Sequence, residues 1–162
     1  MLKQDDPRKC SAAKLVKFGL ANAFARTCTR TVILNHVSKK TLLESDKKLV
    51  RSITGIDCSW NFAIPTFQKP FTGISRKLPP LLAGNPINYA KLNKLTTVEA
   101  LAAAVYILGE PELTHTLLKK FKWGDTFFAL NKNLLQDYSK AQSESEILEI
   151  CHEYRLANTQ FT

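Results

Sequence analysis

Asp57, Cys58, Ser59 and Trp60 set a carboxylate and a large aromatic within four residues, at the end of the predicted strand Ile53-Thr54-Gly55-Ile56-Asp57. The carboxyl end of a parallel strand is where open α/β sheets bind ligands. A carboxylate there can pair with a cationic ligand group, and an indole can cover the apolar part. The same residues also suit a strand-end cap and a core tryptophan. A second irregular segment, Leu78-Pro79-Pro80-Leu81-Leu82-Ala83-Gly84-Asn85-Pro86-Ile87-Asn88-Tyr89, sets polar amides after an apolar strand. Such a loop can accept an adenosine through backbone hydrogen bonds and apolar contact, although Asn-Pro also opens plain turns.

Other chemistries find no support. Gly19, Gly55, Gly73, Gly84, Gly109 and Gly124 never cluster, so the chain has no G-x-G-x-x-G, no P-loop and no G-x-S-x-G. That speaks against a classical dinucleotide fold, a P-loop nucleotidase and an α/β-hydrolase. Cys10, Cys28, Cys58 and Cys151 form no C-x-x-C pair, and His36, His115 and His152 do not fall at ligand spacing. The expectation is no disulfide framework and no metal site. Cys151 and His152 are adjacent, but neighbours on a helix point about 100° apart, which disfavours a nucleophile pair. Cys151 reads as a small core residue.

These residues need elements to position them. Ser11 is expected to cap a helix bearing Leu15, Val16 and Phe18, and Thr31-Val32-Ile33-Leu34 has the form of a buried strand. Asp46 to Arg51 reads as a helical turn, Ile53 to Asp57 as a strand, and Ser59 to Lys77 as a loop ahead of the apolar stretch Leu78–Gly84. Strands separated by helices predict a mainly parallel sheet. From Thr96 the pattern is helical throughout. Thr96-Thr97-Val98-Glu99 is a capping box opening an Ala-rich helix that Gly109 stops, and Pro111 begins the next, with Leu113, Leu117, Leu118 and Phe121 as its stripe. Phe127, Leu130, Leu134 and Tyr138 mark a third helix; Ser143 and Glu146 box a fourth, bearing Ile147, Ile150, Cys151 and Tyr154.

The 162 residues, 44% of them hydrophobic, suit one domain or two small lobes and exclude disorder. No apolar run approaches the roughly 20 residues of a membrane helix. Met1 to Pro7 lacks the apolar core of a secretory signal, so a soluble intracellular protein is expected. The net charge of +9 is unevenly divided: residues 1–95 carry 17 basic and 5 acidic side chains, residues 96–162 carry 6 and 9. A basic half of that kind suits a polyanion such as RNA, or a merely solvated lysine-rich surface.

Five segments in order carry a resemblance: Asp5-Asp6-Pro7-Arg8-Lys9-Cys10-Ser11; Asp57-Cys58-Ser59-Trp60; Leu78-Pro79 with Leu82-Ala83-Gly84-Asn85-Pro86-Ile87-Asn88-Tyr89; Lys94-Leu95-Thr96-Thr97-Val98-Glu99-Ala100-Leu101-Ala102-Ala103; and Phe121-Lys122-Trp123-Gly124. Over nearly its whole length the chain resembles the archaeal and eukaryotic small-subunit ribosomal RNA aminocarboxypropyltransferases. The resemblance implies a SPOUT-like knotted, mainly parallel α/β half over residues 1–92 and an all-α half over residues 93–162. It implies transfer of the 3-amino-3-carboxypropyl group of S-adenosyl-L-methionine to a pseudouridine, often an N1-methylated one, during ribosome biogenesis. Cofactor contacts carry over onto Ser11, Ile56, Leu78, Asn93 and Thr97, with Asn93 standing where the family pattern has an aromatic residue.

Asp57 and Trp60 suit the chemistry, one for the ammonium of the transferred group or the imide proton, the other for its methylene chain. Arg8, Lys9, Lys14, Arg76 and Lys77 are the expected RNA contacts. The expected partners are small-subunit rRNA or a pre-ribosomal particle, for a cytoplasmic monomer with no membrane contact. Two rivals stand beside this reading: a SPOUT-type RNA methyltransferase, and a non-catalytic rRNA-binding assembly factor, which the basic half alone would satisfy.

Overall fold

The structure is a computed structural model and describes residues 10–57, 66–68 and 70–156. Strand β1 (Thr31–Leu34) is buried at every residue, as a continuous apolar run requires when both faces of a sheet are covered. It lies between β2 (Ser52–Gly55) and β3 (Ile74–Arg76), parallel to both, with Ile33 opposite Thr54 on one side and Ser75 on the other. All three strands therefore end at one edge.

The sheet differs from expectation in two places. β3 falls inside the stretch read as a loop; three residues with Ser75 exposed carry almost no strand signal, and the open backbone groups of β1 recruit them. The apolar stretch Leu78–Gly84 is no strand of this sheet. A helix side chain holds it instead: the Asn131 amide accepts from the Leu82 N–H and donates to the Leu82 carbonyl, both at 2.8 Å. Tyr138 donates to the Pro80 carbonyl at 3.0 Å. One residue, Leu82, also bridges to Leu92 antiparallel.

After β1 the chain leaves the sheet and rejoins it at Thr41, which runs beside Lys77 in parallel. The Thr41 N–H donates to Glu144 Oε1 at 2.6 Å, tying this edge to the last helix. The expected helical turn is a 3-10 turn at Glu44–Lys48, somewhat earlier than read; its buried Asp46 accepts from the Leu43 N–H.

Helix α1 (Ser11–Lys17) is capped by Cys10 and not by Ser11: the Cys10 sulfur accepts from the Ala13 N–H at 3.3 Å, and Ser11 is the first helical residue. α2 (Thr97–Ile107) opens on the expected capping box and ends before Gly109, whose φ of +85° suits glycine. α3 (Pro111–Leu118), α4 (Gly124–Tyr138) and α5 (Glu144–Glu153) follow. In α3 the inward residues are Thr114, Leu117 and Leu118, Thr114 hydrogen-bonded to the Ala102 carbonyl, whereas Leu113 is 42% exposed. α2 packs against α1, β2, α3 and α4, and a single core joins Leu15, Val32 and Leu81 to Phe127, Leu135 and Tyr138. Cys151 lies in that core beside the Tyr138 hydroxyl, at 3.6 Å. Burial pushes the Tyr138 phenol well above its usual range.

Candidate functional site

Three chain segments meet at the carboxyl end of β2. Gly55, its last residue, lies so close to α2 that an added Cβ would stand 2.9 Å from Thr97 Cγ2. Ser11, at the start of α1, accepts through its Oγ from the Val98 N–H at 3.3 Å. The first turns of α1 and α2 are thereby joined, and the Ser11 hydroxyl still has its own proton to donate. Ile56 and Asp57 follow directly after β2, half-buried. The Cys10 thiol reaches both Asp57 oxygens, at 3.3 and 3.2 Å. Burial, and after it the Asp57 carboxylate, hold the thiol above its ordinary pKa, while the Ala13 N–H opposes them. Among the described residues that weak donor is the partner of Asp57, so the carboxylate keeps acceptor capacity for a stronger cation.

Leu78 lies two residues beyond β3, at the same edge of the sheet, and packs half-buried against the core. The Leu78–Asn93 segment is pinned from within. Glu99, fully buried, accepts from the Gly84 and Asn85 N–H groups at 2.7 and 2.9 Å and from the Asn85 amide at 2.8 Å. Its other bonds, to the N–H and hydroxyl of Thr96, complete the cap of α2. One side chain therefore fixes both the turn at Gly84 and the helix start that carries Thr97. Gly84 presses on α4, where a Cβ would meet Phe127 Cα at 2.5 Å, so no side chain fits between them.

Asn93 has a defined place. At a φ of +58° it donates its N–H to the Leu81 carbonyl at 2.8 Å and accepts from the Leu81 N–H at 3.3 Å. Asn tolerates that left-handed conformation better than an aromatic residue does. Here it clips the segment and is itself exposed.

Of the expected RNA contacts, Lys14 lies on α1 and Lys77 at the edge beside Thr41. Arg76 is engaged inside the fold: its guanidinium donates to Asp46 at 2.8 to 3.1 Å and to the Ser75 carbonyl at 2.9 Å, and its side chain is only 15% exposed. These bonds use its Nε–H, one Nη1–H and one Nη2–H. Arg8, Lys9 and Trp60 lie outside the described residues. Sequence reasoning missed Cys10 and Asn131, and took Glu99 for a cap alone. The signal for Asn131 was present, because an amide at that position interrupts the stripe of Phe127, Leu134 and Tyr138.

Comparison with known proteins identifies the family. The family model described as "Ribosome biogenesis protein, C-terminal" matches residues 32–155. The 16S rRNA aminocarboxypropyltransferase of Methanococcoides burtonii is 40% identical over 94% of this chain and 90% of its own length. The chain belongs to the small-subunit rRNA aminocarboxypropyltransferase family. The enzyme of the same name from Sulfurisphaera tokodaii, another member of the family, is 42% identical over 91% of this chain and 87% of its own. The solved SAM-dependent rRNA acp-transferase from Vulcanisaeta distributa has a TM-score of 0.84 at 34% identity, covering 94% of this chain and 84% of that one. Among the described residues, no helix is long and apolar enough to cross a membrane.

Proposed function

We propose that this chain transfers the 3-amino-3-carboxypropyl group of S-adenosyl-L-methionine to a pseudouridine, N1-methylated or not, of small-subunit rRNA during ribosome biogenesis. The observation that carries this reading is the joining of three segments at the carboxyl end of β2, Ser11 to Val98, Cys10 to Asp57 and Gly55 against Thr97, in a chain alike over nearly its whole length to proteins named for that transfer. The donor set fits the cofactor: a carboxylate with spare acceptor capacity for an ammonium, two hydroxyls, and the apolar Leu78 and Ile56 at one sheet edge. Bound S-adenosyl-L-methionine would supply an electrophilic γ-carbon on a sulfonium: the C–N bond formed to the imide nitrogen replaces the C–S bond, methylthioadenosine leaves as a neutral thioether, and the imide proton is released to water.

Ser11, Ile56, Leu78 and Thr97 hold the cofactor in this reading, with Asn93 shaping the loop. Asp57 pairs with the ammonium of the transferred group. Trp60, three residues on, packs on the methylene chain. Holding the γ-carbon at the base and the methyl group away from it decides which carbon moves. A SPOUT-like knot is supported by the central β1 parallel to both neighbours and by the return of the chain at Thr41 beside β3. In the same reading residues 1–92 bind RNA and cofactor, residues 93–162 buttress them, and the protein works as a cytoplasmic monomer on rRNA or a pre-ribosomal particle.

The test is the mass of the product. Small-subunit rRNA lacking the modification, incubated with the protein and S-adenosyl-L-methionine, should yield a nucleoside heavier by an aminocarboxypropyl group. A methylated nucleoside would favour the methyltransferase, and no product with intact rRNA binding the assembly factor. Asp57→Asn should keep the fold and lose most of the transfer; wild-type turnover in that variant would remove Asp57 from the site.

A further inference from the structure

Residues 10–43 contain Lys14, Lys17, Arg26, Arg30, Lys39 and Lys40 and not one Asp or Glu. Within that acid-free stretch α1 buries Ser11 and Leu15 toward the core. Lys14, Lys17 and Phe18, at spacings of three and four, share another sector of the helix. Phe18 is 44% exposed and Phe24 is 72% exposed. Solvation alone explains exposed lysines; it does not explain two phenyl rings set among them.

The second observation comes from the acidic half of the chain. Lys120, just after α3, holds its Nζ 5.8 Å from the centre of the Phe18 ring, within cation–π reach. Exposed Lys119 and Lys122 flank it in sequence. The fold thus brings Lys120, from the region of net negative charge, against Phe18 at the C-terminal end of α1.

We propose that α1, Phe18, Phe24 and Lys120 form a track for single-stranded RNA leading to the cofactor edge. The proposal rests on the aminocarboxypropyltransferase reading and deepens it, since Ser11 and Phe18 stand at opposite ends of one helix. Seven residues separate them, about 10 Å along the axis at the α-helical rise. The ammonium groups neutralise phosphates, and the rings stack on unpaired bases, which a duplex does not offer. Lys120, preset over Phe18, places a charge beside a stacking face. Arg76, held by Asp46, lies outside the track.

Fluorescence anisotropy of the full chain with a fluorescein-labelled single-stranded oligouridine tests this. Lys17→Gln combined with Lys120→Gln should weaken binding about tenfold and lower the log–log salt slope by about 1.4, roughly 0.7 for each cation removed. Phe18→Ala should weaken binding about tenfold and leave the slope unchanged. If Phe18→Ala melts early, Phe24→Ala replaces it and should act in the same direction. Lys132→Gln with Lys140→Gln, exposed on the acidic half, should change nothing. Calorimetric affinity for S-adenosyl-L-methionine should stay at the wild-type value in every variant. That separates this surface from the catalytic reading, because binding is measured without turnover. An unaltered affinity and slope in the Lys17 and Lys120 variant overturns the track. So does a duplex that binds as tightly and loses as much with Phe18→Ala.

Discussion

In α4, Phe127, Leu134, Leu135 and Tyr138 recur at helical spacing and are all buried, so apolar contact orders most of the helix's inward face. In the Leu78–Asn93 segment Leu81 and Ala83 are just as buried, yet no periodicity orders them. Polar side chains hold that segment, Glu99 at Gly84 and Asn85 and Asn131 at Leu82 from elsewhere in the chain, and its own Asn93 at Leu81. Apolar packing fixes a helix that already satisfies its own backbone, whereas an irregular buried segment must borrow its hydrogen-bond partners. The segment beside the candidate site is the borrowed kind. Its shape depends on a few acceptors and donors, each removable by one substitution.

The sharpest way to break the comparison is Glu99→Ala, which leaves the buried N–H groups of Gly84, Asn85 and Thr96 without their acceptor. The expected loss is about 4 kcal/mol of unfolding free energy, read from urea denaturation. A loss below about 1 kcal/mol would mean that packing holds the segment after all. Asn131→Leu tests the same idea from α4 with a side chain of similar size. It should cost about 2–3 kcal/mol, seen in calorimetry as a midpoint lowered by about 5–10 °C. A neutral result would put Leu82 in the apolar class.

Thr97→Val asks how far the pinned region serves the cofactor. It keeps the shape beside Gly55 and removes a hydroxyl, and should weaken S-adenosyl-L-methionine binding by about 0.5–1.5 kcal/mol with little change in stability. Ser11→Ala should act in the same direction, and unchanged titrations for both would remove these hydroxyls from the site. The smallest effect expected is at His36, packed edge-on against Phe67 with ring centres 4.4 Å apart. Burial first, and Lys94 second, lower its pKa from 6.5. The unfolded chain therefore takes up the proton first, and stability falls as pH drops below 6.5. His36→Phe should flatten that slope slightly; an unchanged pH dependence would show that another group titrates there.

The sequence was most readable where local rules act alone. Thr31–Leu34 is β-branched, apolar and buried; the Thr96–Glu99 box caps α2; Gly109 ends it in a left-handed conformation. It was least readable where a partner distant in the chain decides. Ile74–Arg76 becomes a strand because β1 offers an open edge, and Leu78–Gly84 stays out of the sheet because Asn131 and Tyr138 already serve its backbone. Asp57 and Thr97 were visible as residue types at a strand end and a helix start. That Cys10 touches the first, and that Glu99 joins the second to Gly84, depends on contacts that spacing does not reveal.

The bond from Thr41 to Glu144 spans 103 residues. Chains leave the ribosome from the N-terminus, so the backbone at Thr41 waits for its acceptor until α5 has emerged. Val98 must likewise appear before Ser11 finds its donor, 87 residues away. Closing contacts so far apart is slow, and it comes last. A truncated chain ending before Glu144 would lack α5 and leave the Thr41 N–H without its acceptor. The nascent chain therefore closes the Thr41 edge only when α5 docks.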